Sequence, residues 1–197
     1  KSSDLYNWEF HSVPAGKLDD MGYMWECPDT FKLSDKDVLM FSPQGMEAEG
    51  YKYNNVYQCG YAVGNFLNDK KELKLGEFVE IDRGFDFYAP QTFEDSKGRR
   101  IVIGWMGVPD AVEHKNPTID NFWQHQLTIP RELVLNDSKV YQVPIIELEN
   151  LRKGSSIKEE VSLNKDTTLD IFESNTFELN MSFKESNEFE IELREDC

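Results

Sequence analysis

Apolar residues along this chain fall in short runs rather than in stripes of helical period. Val38-Leu39-Met40-Phe41-Ser42 and Ile101-Val102-Ile103-Gly104-Trp105 are two such runs, each preceded by turn residues (Ser34-Asp35-Lys36-Asp37 and Asp95-Ser96-Lys97-Gly98). Runs of that length between turn signals predict buried strands. Upstream of each run stands a second, half-polar motif. One reads Met24-Trp25-Glu26-Cys27-Pro28-Asp29-Thr30-Phe31, the other Phe85-Asp86-Phe87-Tyr88-Ala89-Pro90-Gln91-Thr92-Phe93. Pro28-Asp29-Thr30-Phe31 thus returns as Pro90-Gln91-Thr92-Phe93. The pattern predicts two copies of one unit (motif strand, turn, buried strand), at about residues 23–83 and 84–148. A period of about sixty residues with several strands per unit fits a propeller blade.

The remaining elements follow from the same reading. Residues 6–10 predict a strand, followed by a turn-rich stretch through Pro14, Gly16, Asp19 and Asp20. The aromatic segment 51–64 and the short run 78–82 predict two more strands in the first unit. Segments 126–135 and 139–143 predict strands in the second, joined by a tight hairpin at Asn136-Asp137-Ser138. Residues 145–152 read as a short helical or extended connector. Beyond it, Phe177-Glu178-Leu179-Asn180-Met181-Ser182-Phe183 and Phe189-Glu190-Ile191-Glu192-Leu193 alternate strictly, the pattern of half-buried antiparallel strands. They predict the opening of a β-sandwich. The expected architecture is all-β: a propeller portion over 1–150, then a linker and first sandwich strands over 151–197.

Composition narrows the function classes. Aromatics make up 13% of 197 residues against 39% hydrophobic, which suits a β-rich protein that stacks rings in clefts. A formal net charge of -16 argues against nucleic acid, whose phosphates need clustered Lys and Arg. No apolar run approaches the roughly twenty residues that span a bilayer, and no signal peptide is evident, so neither a membrane partner nor export is expected. Cys27, Cys59 and Cys197 lack the paired spacing of a disulfide framework or a zinc site, and a reducing, cytoplasmic location is the simpler expectation. His11, His114 and His125 have no metal-ligand spacing, and His125 reads as a hydrogen-bonding strand residue. No metal or organic cofactor is expected.

Where the copies differ, chemistry enters. Glu26 falls where the second copy has Tyr88. A carboxylate beside an apolar ring loses hydration, the environment a general acid needs near neutrality, and Trp25 is its neighbour in sequence. Pro28 restrains the chain just after Cys27, stiffening the strand end. From residue type alone, however, one glutamate among 37 acidic residues reads more readily as an exposed edge-strand side chain.

Four segments resemble glycoside hydrolase family 32, the β-fructosidases, in the family's order. Met24-Trp25-Glu26-Cys27-Pro28-Asp29 is similar to the stretch around its acid/base glutamate. Residues 85–93 resemble its aspartate-tyrosine-alanine-proline-glutamine-threonine-phenylalanine stretch, 103–107 its tryptophan-methionine strand, and 127–133 its threonine-isoleucine-proline-arginine-glutamate-leucine strand. Within the family, Asn55-Val56-Tyr57-Gln58-Cys59-Gly60-Tyr61 is most similar to bacterial sucrose-6-phosphate hydrolases. The resemblance implies a five-bladed propeller followed by a β-sandwich, and retaining hydrolysis of a terminal β-linked fructofuranosyl unit in sucrose, sucrose 6-phosphate or a fructan end. It implies that Glu26 protonates the glycosidic oxygen and then deprotonates water. Cys27 would line the fructose pocket, Trp105 would shape its wall, and Asp86 and Tyr88 would lie near it.

The chain departs from the family at two places. The aspartate nucleophile in tryptophan-methionine-asparagine-aspartate-proline and the transition-state aspartate in arginine-aspartate-proline have no match here. A retaining glycosidase needs two carboxyl groups roughly 5 Å apart. The chain therefore resembles the back half of a catalytic domain, about two and a half blades and a sandwich start. An open arc of blades exposes apolar faces, which predicts self-association or pairing with another chain. A catalytically inactive carbohydrate-binding or structural fragment, and a fructosyltransferase of the same family, stay open. Lys115, His114 and Arg83 are available for a phosphate, though their spacing forms no cradle.

Overall fold

The motif-plus-run units become two antiparallel sheets. In the first, β1 (Met24–Leu33), β2 (Lys36–Gln44), β3 (Gly60–Leu67) and β4 (Glu72–Glu80) pair in sequence order. In the second, β5 (Phe87–Glu94), β6 (Arg100–Met106), β8 (Arg131–Asn136) and β9 (Lys139–Pro144) do the same, with the short β7 (Gln126–Leu127) also on β6. The computed structural model describes residues 1–16, 21–85, 87–110, 117–154, 156, 158, 160–162, 167–168, 176–184 and 190–191. The chain divides into a unit Lys1–Arg152, which holds both sheets, and a unit Lys153–Cys197. Short 3-10 turns at Pro117–Asn121 and Ile146–Leu151 are the helical elements among the described residues, so the all-β expectation holds. No helix among them is long and apolar enough to cross a membrane.

The repeat is exact to the residue in its irregularities as well as its strands. β1 bulges between Glu26 and Asp29 against Ser42 and Met40; β5 bulges between Tyr88 and Gln91 against Trp105 and Ile103. Cys27 and Ala89, the residues after Glu26 and Tyr88, both take left-handed backbone angles (φ 49° and 47°). Bulges re-aim the side chains beside them.

Alternation along β2 sends Val38 and Met40 to one face and Leu39 and Phe41 to the other, and both faces are covered. The first face meets the second sheet: Phe31, Leu33, Val38, Met40, Cys59, Tyr61 and Ile81 pack with Phe87, Val102 and Leu133. Polar clamps lock this packing. The Asp29 carboxylate accepts from the Thr92 hydroxyl (2.6 Å) and its backbone N–H (3.1 Å). Arg131 binds Asp82 at 2.7 Å, and the Val140 N–H donates to the Tyr61 hydroxyl (3.0 Å). The second face buries Met21, Leu39, Phe41 and Leu73 with Trp25, Phe66 and Phe78 beside them. The hairpin at 136–138 forms as expected, with Asp137 and Ser138 at positive φ and Asn136 opposite Lys139.

Several expected elements change. Residues 6–10 form no strand: the Asp4 carboxylate takes the N–H groups of Tyr6 and Asn7, winding a turn that leaves Tyr6, Trp8 and Phe10 exposed. The 51–64 strand begins only at Gly60. Before it, side chains capture the backbone, with the Gln58 amide donating to the carbonyls of Tyr53 and Asn55 and the Glu80 carboxylate taking the Tyr53 N–H. The run at 78–82 is the end of a longer strand that starts at Glu72. The 126–135 strand is cut in two because Pro130 offers no N–H and Thr128 bonds Gly104 through both its backbone and its hydroxyl. In the second unit, residues 177–183 carry the alternation but no strand pairing. Phe177, Leu179, Met181 and Phe183 are exposed there. Of the second alternating segment, Phe189, Glu192 and Leu193 lie outside the described residues.

Candidate active site

The bulge in β1 carries Glu26 toward the second sheet, where its repeat counterpart waits. The Tyr88 hydroxyl donates to Glu26 Oε2 at 2.8 Å. Glu26 and Tyr88, which occupy equivalent positions in the two copies, are therefore bonded to each other. The Gln44 amide donates to the Tyr88 oxygen (3.2 Å), and the Tyr23 hydroxyl donates to Gln44 Oε1 (3.3 Å). Tyr57 lays its ring 5.8 Å from that of Tyr88 and donates its hydroxyl to Asp110 (2.9 Å). Glu26 is half-buried, while Tyr88 and Gln44 are buried.

The ring expected beside Glu26 lies elsewhere. Trp25, one residue earlier, belongs to the opposite face of β1, where it stacks on Phe41 at 4.2 Å and donates its indole N–H to the Met21 carbonyl. What meets Glu26 instead is the Tyr88 hydroxyl, from the second sheet. Burial pushes the Tyr88 phenol well above its ordinary range, with the Glu26 carboxylate adding to the shift and the Gln44 contact opposing it. The Tyr57 phenol is pushed up to about 12, chiefly by its bond to Asp110. Both stay protonated donors across the neutral range. Cys27 is half-buried beside the site. Burial and then the Glu26 charge push its thiol up, so it presents a neutral S–H.

Trp105 stands directly opposite Tyr88 on β6, half-buried, with its ring 5.2 Å from that of His125. Gly107 allows this, since a Cβ there would overlap the indole. His125 is not in a strand. It precedes β7 at positive φ, and its Nε2 contacts the Gln124 amide nitrogen at 2.8 Å. Glu26, Cys27, Tyr88 and Trp105 are thus brought to one region. Asp86, His114 and Lys115 lie outside the described residues, and Arg83 pairs with Glu80 (3.4 Å). Gln44, Tyr23 and Tyr57 were missed. The signal for Gln44 was present: it lies two residues beyond Ser42, on the face that Val38 and Met40 bury. Two clefts lie elsewhere, one along Pro14, Thr30, Lys32, Asp37, Phe66 and Leu73, the other within residues 1–9. Among the described residues no His, Cys, Asp and Glu group is arranged to hold a metal.

The model for the glycosyl hydrolases family 32 N-terminal domain matches residues 1–144. The chain belongs to glycosyl hydrolase family 32. The family match ends with β9, so both sheets and the Glu26–Tyr88 contact lie inside it. The sucrose-6-phosphate hydrolase of Bacillus subtilis is 54% identical over 157 residues, 78% of this chain and 33% of that protein. That of Staphylococcus xylosus is 44% identical over 195 residues, 97% of this chain and 38% of that protein. The family 32 β-fructofuranosidase BmSUC1 of Bombyx mori has the same fold over 78% of this chain and 32% of its own, with a TM-score of 0.71 and 39% identity. A sucrose complex of a variant of that enzyme matches equally well. The chain spans about a third of the length of these relatives.

In this family 32 chain, Tyr88→Phe is expected to destabilise by about 1–3 kcal/mol, because the Gln44 amide and Glu26 Oε2 both lose a buried partner. Thermal denaturation measures it. The phenol also sets an alkaline limit. Its folded value lies above the unfolded value of about 10, so its share of stability is complete below that pH and is lost as pH rises through the raised value. The melting temperature of the wild type should fall more steeply above about pH 10 than that of Tyr88→Phe; parallel curves would contradict it.

Proposed function

We propose that this chain supplies the proton-transfer side of a β-fructofuranosidase of the sucrose-6-phosphate hydrolase kind. Glu26 protonates the glycosidic oxygen of a terminal β-linked fructofuranosyl unit, then accepts a proton from the water that releases fructose, with retention at the anomeric carbon. Cys27 and Trp105 contact the sugar beside it. Residues 1–150 are the C-terminal part of the propeller, and 151–197 are the linker and first strands of a sandwich. The observation that carries this reading is the Glu26–Tyr88 bond: a half-buried carboxyl, held by a donor that stays protonated, within a segment matched by the family model. The names of the relatives supply the substrate class, and the sucrose complex of the Bombyx mori enzyme is consistent with it.

A second reading concerns the chain by itself. No other carboxylate is bonded into the cluster of Glu26, Tyr88 and Gln44 among the described residues. A retaining step needs a nucleophile opposite the acid, so the isolated chain is expected to bind sugar without cleaving it. The test compares the isolated chain with the longer polypeptide that carries the same residues, each incubated with sucrose 6-phosphate and with sucrose. Fructose release by the longer polypeptide alone is the expected result. Release by neither sinks the hydrolase reading, and release by the isolated chain sinks the division of labour.

A further inference from the structure

The two copies of the repeat differ at a cross-strand pair, not at a single position. In the second sheet Tyr88 stands opposite Trp105; at the same places in the first, Glu26 stands opposite Ser42. Two aromatic rings in one copy are a carboxyl and a hydroxyl in the other.

Ser42 is fully buried, and its hydroxyl has no hydrogen-bond partner among the described residues. It shares its face of β2 with Met40, in the core between the sheets, and with Gln44, whose amide reaches the Tyr88 oxygen. Residues directly opposite on antiparallel strands bring their Cβ atoms to about 4.5–5.5 Å. Glu26 uses Oε2 for Tyr88, and Oε1 takes no donor among the described residues. The register thus sets a buried hydroxyl without a partner opposite a carboxyl group with one oxygen unbonded among the described residues. Buried hydroxyls are seldom left unpaired, because the lost hydration is costly.

We propose that Ser42 is a positioning residue for Glu26, donating its hydroxyl to Oε1, directly or through one water, while Tyr88 holds Oε2. Held at one oxygen only, the carboxyl group turns about its terminal torsion; held at both, its plane is fixed. Both donors also stabilise the negative charge left once the proton has gone to a sugar oxygen. The importance for catalysis rests on the acid–base role proposed above, but the contact does not.

The test uses the isotopically labelled chain without sugar. The Ser42 Cβ signal is followed over roughly pH 3 to 8, the range that brackets carboxyl titration. In the wild type it should move in a step with pH, and in Glu26→Gln it should stay flat. Ser42→Ala should lower the melting temperature by about 2–4 °C, and Ser42→Thr should recover most of that loss. An unpaired hydroxyl behaves in the opposite way. Its removal leaves melting unchanged or higher, and the Ser42 signal has the same pH trace in Glu26→Gln as in the wild type. Either of those results overturns the proposal. Because no sugar is present, that failure leaves the fructose-release reading intact, and a failure of fructose release leaves this contact standing.

Discussion

Glu26→Gln is expected to lower fructose release from sucrose 6-phosphate by about a hundred- to ten-thousand-fold in the longer polypeptide, with KM little changed. The glutamine carbonyl still accepts from the Tyr88 hydroxyl, so the 2.8 Å contact and the bulge survive. The glutamine amide stands where Oε1 was and can donate to the Ser42 oxygen in turn, so what the variant gives up is the transferable proton. That isolates chemistry from folding, and equal melting temperatures for the two proteins check it. The same logic fixes the leaving-group dependence. A substrate whose leaving oxygen is weakly basic needs little protonation, so its cleavage should suffer far less in the variant. A uniform loss across both substrates, or a rise in KM alone, would assign Glu26 to binding rather than to proton transfer.

How far the sequence disclosed this site depends on which residues are asked. Glu26 against Tyr88 was visible because a repeat holds backbone constant and leaves side chains as the variable. The bulge, the positive φ within it and the register all recur in the structure, so an acid in one copy where the other has a phenol is a difference of chemistry and not of backbone. The bond between those two residues was not visible, since sequence separation says nothing about which loops of a sheet pair meet. Trp25 misled for a related reason. A neighbour in sequence lies on the opposite face of a strand, and the partner of Glu26 came from the other sheet. The false strands at 6–10 and 51–59 share one cause. Aromatic content imitates strand propensity, while Asp4, Gln58 and Glu80 divert the backbone into turns through their side chains, which periodicity does not register. The alternation at 177–183 is a one-face pattern in sequence, while in the structure these residues are exposed and outside any strand.

Phe41→Ala is expected to cost about 3–5 kcal/mol, read as a fall in melting temperature of about 10 °C or more. Phe41 is fully buried, stacked on Trp25 at 4.2 Å and 5.0 Å from Phe78. Its repeat counterpart is Gly104, over which the ring of Phe87 lies so closely that a Cβ there would overlap it. The same layer is thus filled by two rings in one sheet and by one ring on bare backbone in the other. Neighbours cannot close the gap left in the first sheet, because Trp25 is held by its own bond to the Met21 carbonyl. Phe41→Leu keeps most of the volume and should cost less than about 1.5 kcal/mol. The functional consequence runs through the chain itself. Trp25 immediately precedes Glu26, so a loosened indole releases the strand end that aims the carboxyl group at Tyr88. Phe41→Ala should therefore lose stability and the Glu26–Tyr88 contact together, the second seen as a change in the Tyr88 ring signals. Glu26→Gln should lose neither. If Phe41→Ala melts within a degree or two of the wild type, the layer beneath Trp25 does not support the site.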